Sequence, residues 1–207
     1  MLLVLGCTPD GVDTSLDTSV DPATCVAWPV EVADAPLFGG NDADSEATGE
    51  PGEWPIDVVR ELVVQDGLVQ RTHLTTPMWG DFKSDAGLRL EGFWTDDGGF
   101  DVQYDSALVL YPLPLEGAWT SEASFSDATV AFGTNQGVDA VSAAVVDTVD
   151  LDLDSIVFSD VSVIESTWTR TLAVSTGPTV WTETAWVHPC HGVLARRTAG
   201  QGMRFLP

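Results

Sequence analysis

Residues 88–104 read LRLEGFWTDDGGFDVQY, two runs of alternating apolar and polar side chains around an Asp-Asp-Gly-Gly cluster. Alternation with period two marks a half-buried strand, and a short Asp/Gly cluster between two such runs marks a hairpin. The pattern sets Leu88, Leu90 and Trp94 on one face, opposite Phe100, Val102 and Tyr104.

The same period runs outward in both directions. Upstream, IDVVRELVVQDGLVQRTHLTT (56–76) reads as strand, Asp66-Gly67 turn, strand. Downstream, SALVLYPLPL (106–115) is an apolar run whose Pro112 and Pro114 push it towards a sheet edge or a loop. Further strands fall near 118–125, 128–133, 140–154, 156–175 and 179–198, rich in Thr, Val and Trp. No amphipathic helix stands out, although VDAVSAAVV (138–146) has the composition for a short helical turn. The expected fold is all-β and mostly antiparallel, a strongly curved sheet or half-barrel, with a β-sandwich as the alternative. One β-rich domain over 25–207 accounts for this part of the chain.

Charge narrows the partners. Thirty-two acidic side chains against eight basic ones give a net charge of -24. Such a chain repels phosphate backbones and anionic lipid surfaces, which excludes nucleic acid as a partner. The acidity reads as solubility, or as adaptation to salt water, where screening relieves self-repulsion.

Motifs for chemistry are missing. No G-x-S-x-G elbow, H-E-x-x-H pair, phosphate loop or dinucleotide fingerprint occurs. His73, His188 and His191 are the histidines, so an enzyme would have to be built around His73 or His188. The expectation is a non-catalytic protein without cofactor or metal. Three clusters offer cation ligands, one of His and Cys and two of carboxylates. His188-Pro189-Cys190-His191 with Cys25 offers zinc ligands, but adjacent strand residues point to opposite faces, so His188 and Cys190 share a face that His191 does not. Asp42, Asp44, Glu46, Glu50 and Glu53 fall at calcium-loop positions within 38–55, yet the required sixth-position Gly is Ala47, so a solvated loop is expected. Asp150, Asp152 and Asp154 share one strand face, which reads as the wet side of a half-buried strand.

The chain opens MLLVLGC, and Val4-Leu5-Gly6-Cys7 resembles the lipobox of bacterial lipoproteins, with an aliphatic residue three before the cysteine and a small one just before it. The resemblance implies acylation of Cys7, a truncated signal remnant over 1–6, and anchoring at the outer membrane facing periplasm or cell surface. Residues 8–24, TPDGVDTSLDTSVDPAT, are too polar to bury a core and read as a flexible tether reaching roughly 20–25 Å. With Cys7 lipidated, Cys25 and Cys190 are the remaining pair, expected as a disulfide in an oxidising compartment.

Within the domain, LVLYPLPLEGAWT and a terminal run carrying Trp186, Pro189, Gly192, Val193, Leu194 and Arg196 resemble the LolA/LolB-like and TapB-like half-barrel lipoproteins over about Ala107–Thr198. That resemblance implies a long curved sheet with an apolar concave side. Here Cys190 and His191 stand between the proline and the glycine, and covering helices are not evident. The expected function is a membrane-anchored envelope protein whose curved sheet binds a lipid, another apolar ligand or an envelope partner. The alternative is a lipid-anchored adhesion or carbohydrate-binding module, for which exposed coplanar tryptophans are required. TVWTETAWV offers none in a row, because Trp181 and Trp186 fall on opposite faces.

Overall fold

The computed structural model describes residues 37–41, 45–61, 63–65, 68–73, 76–83, 87–95, 98–130, 133–154 and 156–206. They form thirteen strands: β1 Leu37–Gly40, β2 Val58–Glu61, β3 Val63–Gln65, β4 Leu68–His73, β5 Thr76–Lys83, β6 Gly87–Thr95, β7 Phe100–Pro112, β8 Ala118–Val130, β9 Gly133–Leu153, β10 Ile156–Leu172, β11 Thr179–His188, β12 Gly192–Thr198 and β13 Gln201–Leu206. A single 3-10 turn, Pro51–Glu53, is the one helical element among the described residues. Every ladder is antiparallel, in the order β2-β1-β13-β12-β11-β10-β9-β8-β7-β6-β5-β4-β3. The chain is therefore an all-β meander in one sheet, and the two-sheet sandwich is not formed.

Topology alone requires strong curvature. β2 and β3 are the two outermost strands of a 13-stranded sheet, roughly 58 Å apart if it were flat at about 4.8 Å per strand. Yet Glu61 and Val63 are separated by one residue, a span of at most about 7 Å. No ladder joins the two edges among the described residues, so the sheet is open in hydrogen bonding but rolled back on itself. Side chains identify the concave side. Arg170 on β10 lies 5.2 Å from the ring centroid of Phe93 on β6. Four strands away on a flat sheet would be roughly 19 Å.

The concave core joins Leu88, Leu90, Phe93, Val102, Leu108, Phe125, Val141, Ile164 and Val187, drawn from β6 through β11. A second core lies on the convex side: Ala47, Trp54, Leu151, Leu153, Phe158, Val161, Trp186 and Leu194. β9 and β10 serve both through bulges. Ile164 pairs with Val145 but Val163 pairs with Asp147, so Val146 is an extra residue and strand parity reverses there. Val141 and Ala143 thus face the concave core, while Leu151 and Leu153, at the same odd spacing, face the convex one. Burying Leu151 or Leu153, 2% and 0% exposed, contributes about 1.5–3 kcal/mol each.

Four local expectations need correction. Phe93, not Trp94, faces Val102, because β7 sets residues 104–107 against the single Glu91 of β6 and the register slips. Residues 138–146 are strand within β9, not a helical turn. SALVLYPLPL is strand up to Pro112 and carries core residues Leu108, Leu110 and Tyr111. Its flank towards β8 is nevertheless unladdered beyond Tyr104: Ser121 Oγ accepts the Val109 N–H at 2.8 Å, and Trp119 Nε1 donates to Leu110 O at 3.2 Å. Finally, 38–55 is more than a solvated loop, since Ala47, Pro51 and Trp54 are buried against the convex face. Asn41 holds it there, accepting the Gly202 N–H at 2.7 Å and donating to Gly200 O at 3.1 Å. Gly202 has to be glycine, because a Cβ would sit 2.5 Å from Ala47 Cβ and 2.6 Å from the Trp54 ring.

Candidate functional site

Alternation puts one acid and one base on the apolar parity of β9 and β10. Asp139 follows the spacing of Val141 and Ala143, and Arg170 that of Ile164 and Trp168, and the register pairs them directly. Asp139 is 1% exposed and accepts from Arg170 Nε at 2.8 Å and Nη2 at 2.6 Å. Tyr104 Oη donates to Asp139 Oδ2 at 2.5 Å. Phe93 and Phe125 flank the guanidinium at 5.2 and 5.9 Å. Burial first, then the Asp139 charge and hydrogen bond, hold the Tyr104 phenol far above its ordinary range. Burial opposes the Arg170 charge, but its bonds to Asp139 outweigh that and raise its pKa. The triad is a locked, neutralised unit with no free base or nucleophile. It ties β7, β9 and β10 together inside the concave core.

Beside it the concave face turns from closed core to half-open margin. Leu113, Leu115, Trp119, Trp168 and Leu172 pack against the core while still reaching solvent. Trp168 and Trp181 stand opposite each other on β10 and β11, stacked with centroids 5.6 Å apart and planes at 13°. The Trp168 Nε1 donor is buried and has no partner among the described residues. An unmatched buried donor costs about 1–3 kcal/mol. One step along β11, Glu183 meets Arg196 at 3.3 Å, with side chains 9% and 24% exposed. Tyr111 Oη and Thr198 Oγ1 reach the Glu183 carboxylate at 3.5 Å, the outer limit of a hydrogen bond. This margin combines stacking surface, an unmatched N–H donor and a loosely held ion pair. It suits capture of a mostly apolar molecule carrying an oxygen acceptor.

The sequence-predicted sites fare differently. Cys7 and Cys25 lie outside the described residues, as do Asp42 and Asp44. His73 is in β4, and its side chain is likewise outside the described part. Cys190 is half-buried in the turn between β11 and β12. β11 ends at His188, so strand parity does not separate the two histidines as expected. The chain turns instead, and the His188 and His191 rings come within 4.6 Å. His188 Nδ1 accepts the N–H groups of Cys190 at 3.0 Å and His191 at 3.2 Å. Burial lowers the His191 pKa. No group of three or more His, Cys, Asp or Glu among the described residues is arranged to hold a metal ion.

Asp150 and Asp152 are exposed on the face opposite Leu151 and Leu153, but Asp154 has left the strand at φ 52°. Its carboxylate takes Arg204 Nη1 at 2.6 Å and Nη2 at 3.1 Å, so the three do not form one carboxylate row. Trp181 and Trp186 do lie on opposite faces, the first stacked on Trp168 and the second edge-on to Trp54 at 5.3 Å. Among the described residues no helix is long and apolar enough to cross a membrane.

The chain matches no protein-family model, no curated protein and no solved structure.

Proposed function

We propose that this is a membrane-anchored, non-catalytic lipoprotein of the bacterial envelope, whose curved sheet takes up an apolar ligand along the margin of its concave face. Acylated Cys7 ties the chain to the outer membrane, residues 8–24 space it, and Cys25 pairs with Cys190. The chain's charge of -24 repels nucleic acid and anionic surfaces, and leaves the approach of a neutral apolar ligand unopposed.

The observation that carries the ligand reading is the stacked Trp168–Trp181 pair with the buried, unmatched Trp168 donor. An incoming acyl ester or amide would match that donor with its carbonyl oxygen and cover the indole faces. The core behind the pair is filled by side chains such as Leu108 and Val102, both 0% exposed, so binding belongs to the margin and not to a deep interior.

Titration with a mono-acyl phospholipid below its micelle concentration, followed by tryptophan fluorescence, tests this. A saturable blue shift that Trp181→Ala abolishes is expected. A response unchanged in Trp181→Ala, or no response at all, rejects the ligand half of the proposal.

A further inference from the structure

Asp139 and Glu183 are both carboxylates of the concave face, with side chains 1% and 9% exposed, but they are held differently. Asp139 takes Arg170 at 2.8 and 2.6 Å and Tyr104 at 2.5 Å, the lengths of charge-assisted bonds. The contacts of Glu183 among the described residues are all longer: Arg196 Nη1 at 3.3 Å, Tyr111 Oη at 3.5 Å and Thr198 Oγ1 at 3.5 Å. Its carboxylate is largely screened from water, yet none of these donors stands at charge-assisted distance, so acceptor capacity is unused. The register sets that acceptor beside the unmatched donor. Trp181 faces Trp168 and Glu183 faces Ser166 across the β10–β11 ladder, so Glu183 and Trp168 are diagonal neighbours on one face. Trp168 Nε1 is buried without a partner among the described residues. Further along the same face come Ile164 and Ala185, 1% and 2% exposed, so the polar spot ends against closed core.

We infer that the margin selects acyl amides over acyl esters, with Glu183 as the residue that sets this specificity; the inference rests on the ligand uptake proposed for that face. The amide oxygen accepts the Trp168 N–H, the amide's own N–H donates to the Glu183 carboxylate, and the acyl chain lies on the indoles of Trp168 and Trp181. An ester brings an oxygen for Trp168 but no donor for Glu183. It therefore covers a buried carboxylate without giving it a new partner, and forgoes a bond to a charged group.

Tryptophan-fluorescence titration of the full-length chain with decanamide and with methyl decanoate reads the selection directly. Wild type is expected to bind decanamide roughly tenfold to a hundredfold more tightly, the difference that a hydrogen bond to a charged group makes. Glu183→Leu removes the acceptor and should bring the two ligands to equal affinity, with Arg196, its side chain 24% exposed, left to water. Glu183→Gln keeps the shape and a neutral acceptor, so the preference should shrink to a few-fold, a readout that stands even where the leucine variant does not fold. Equal affinity of wild type for the two ligands overturns the inference and leaves apolar uptake standing. So does a preference undiminished in a folded Glu183 variant, which would place the selection in the carbonyl and not in Glu183. Binding of neither ligand by wild type removes the uptake itself, and the inference with it.

Discussion

Asp139 is the residue on which the concave core turns. Its removal leaves the Arg170 guanidinium and the Tyr104 hydroxyl buried without their acceptor, and breaking a buried pair from one side costs about 3–5 kcal/mol. Asp139→Ala is expected to lower the urea midpoint accordingly, whereas Tyr104→Phe, which leaves the ion pair whole, should cost about 1–3 kcal/mol. The phenol also fixes a pH dependence. Tyr104 is raised in the folded chain by burial and by Asp139, so the unfolded tyrosine ionises first as pH rises. Its contribution to stability is complete below about pH 10 and declines above it. A native-state absorbance titration should therefore show Tyr104 still protonated until the protein unfolds. This unit had a trace in the sequence: Asp139 and Arg170 occupy apolar parity in otherwise ordinary strands. Composition hid it, since one acid among 32 draws no notice without a register to pair it.

At the scale of elements, bulges decide what alternation alone cannot. The hairpins of β3 with β4 and of β6 with β7 follow directly from the Asp/Gly turns and period-two runs, and so does the split of Trp181 from Trp186. The face assigned to each side chain fails where a strand gains a residue, as at Val146 and at 104–107. Periodicity has no signal for an inserted residue, because Ala-Val-Val-Asp reads the same with or without one. Deleting Val146 restores simple parity and is expected to unfold the domain, since it turns Leu151 and Leu153 to the wrong face. Val146→Ala, at a side chain 51% exposed, should be tolerated; similar melting of the two variants would remove the bulge from the account. The 45–54 segment hides for another reason. It is polar on average, and only Ala47, Pro51 and Trp54 bury. Gly202→Val should drive Trp54 off the convex face, costing about 1–3 kcal/mol by overpacking and shifting its fluorescence to the red.

The whole molecule is a rolled acidic sheet with two cores back to back through β9, β10 and β11. Its charge of -24 opposes compactness, and salt relieves that: the screening length falls from about 30 Å at 0.01 M to about 3 Å at 1 M. Melting temperature is expected to climb with sodium chloride over that range. A flat response would mean that the acidity serves solubility alone. The all-β, antiparallel class was legible from period, turns and composition, which left a curved sheet and a sandwich both open. The role of the rolled sheet was not, because the open margin at Trp168, Trp181 and Glu183 exists only once strands far apart in sequence are set in register. Anchor and ligand uptake form the central claim, and mass spectrometry of the protein extracted from its own membranes, native and then denatured, tests it most directly. The account predicts a mature chain beginning at acylated Cys7, two hydrogens short for Cys25–Cys190, with non-covalent apolar mass in the native spectrum. An unacylated chain that retains residues 1–6 and carries no bound molecule would contradict it.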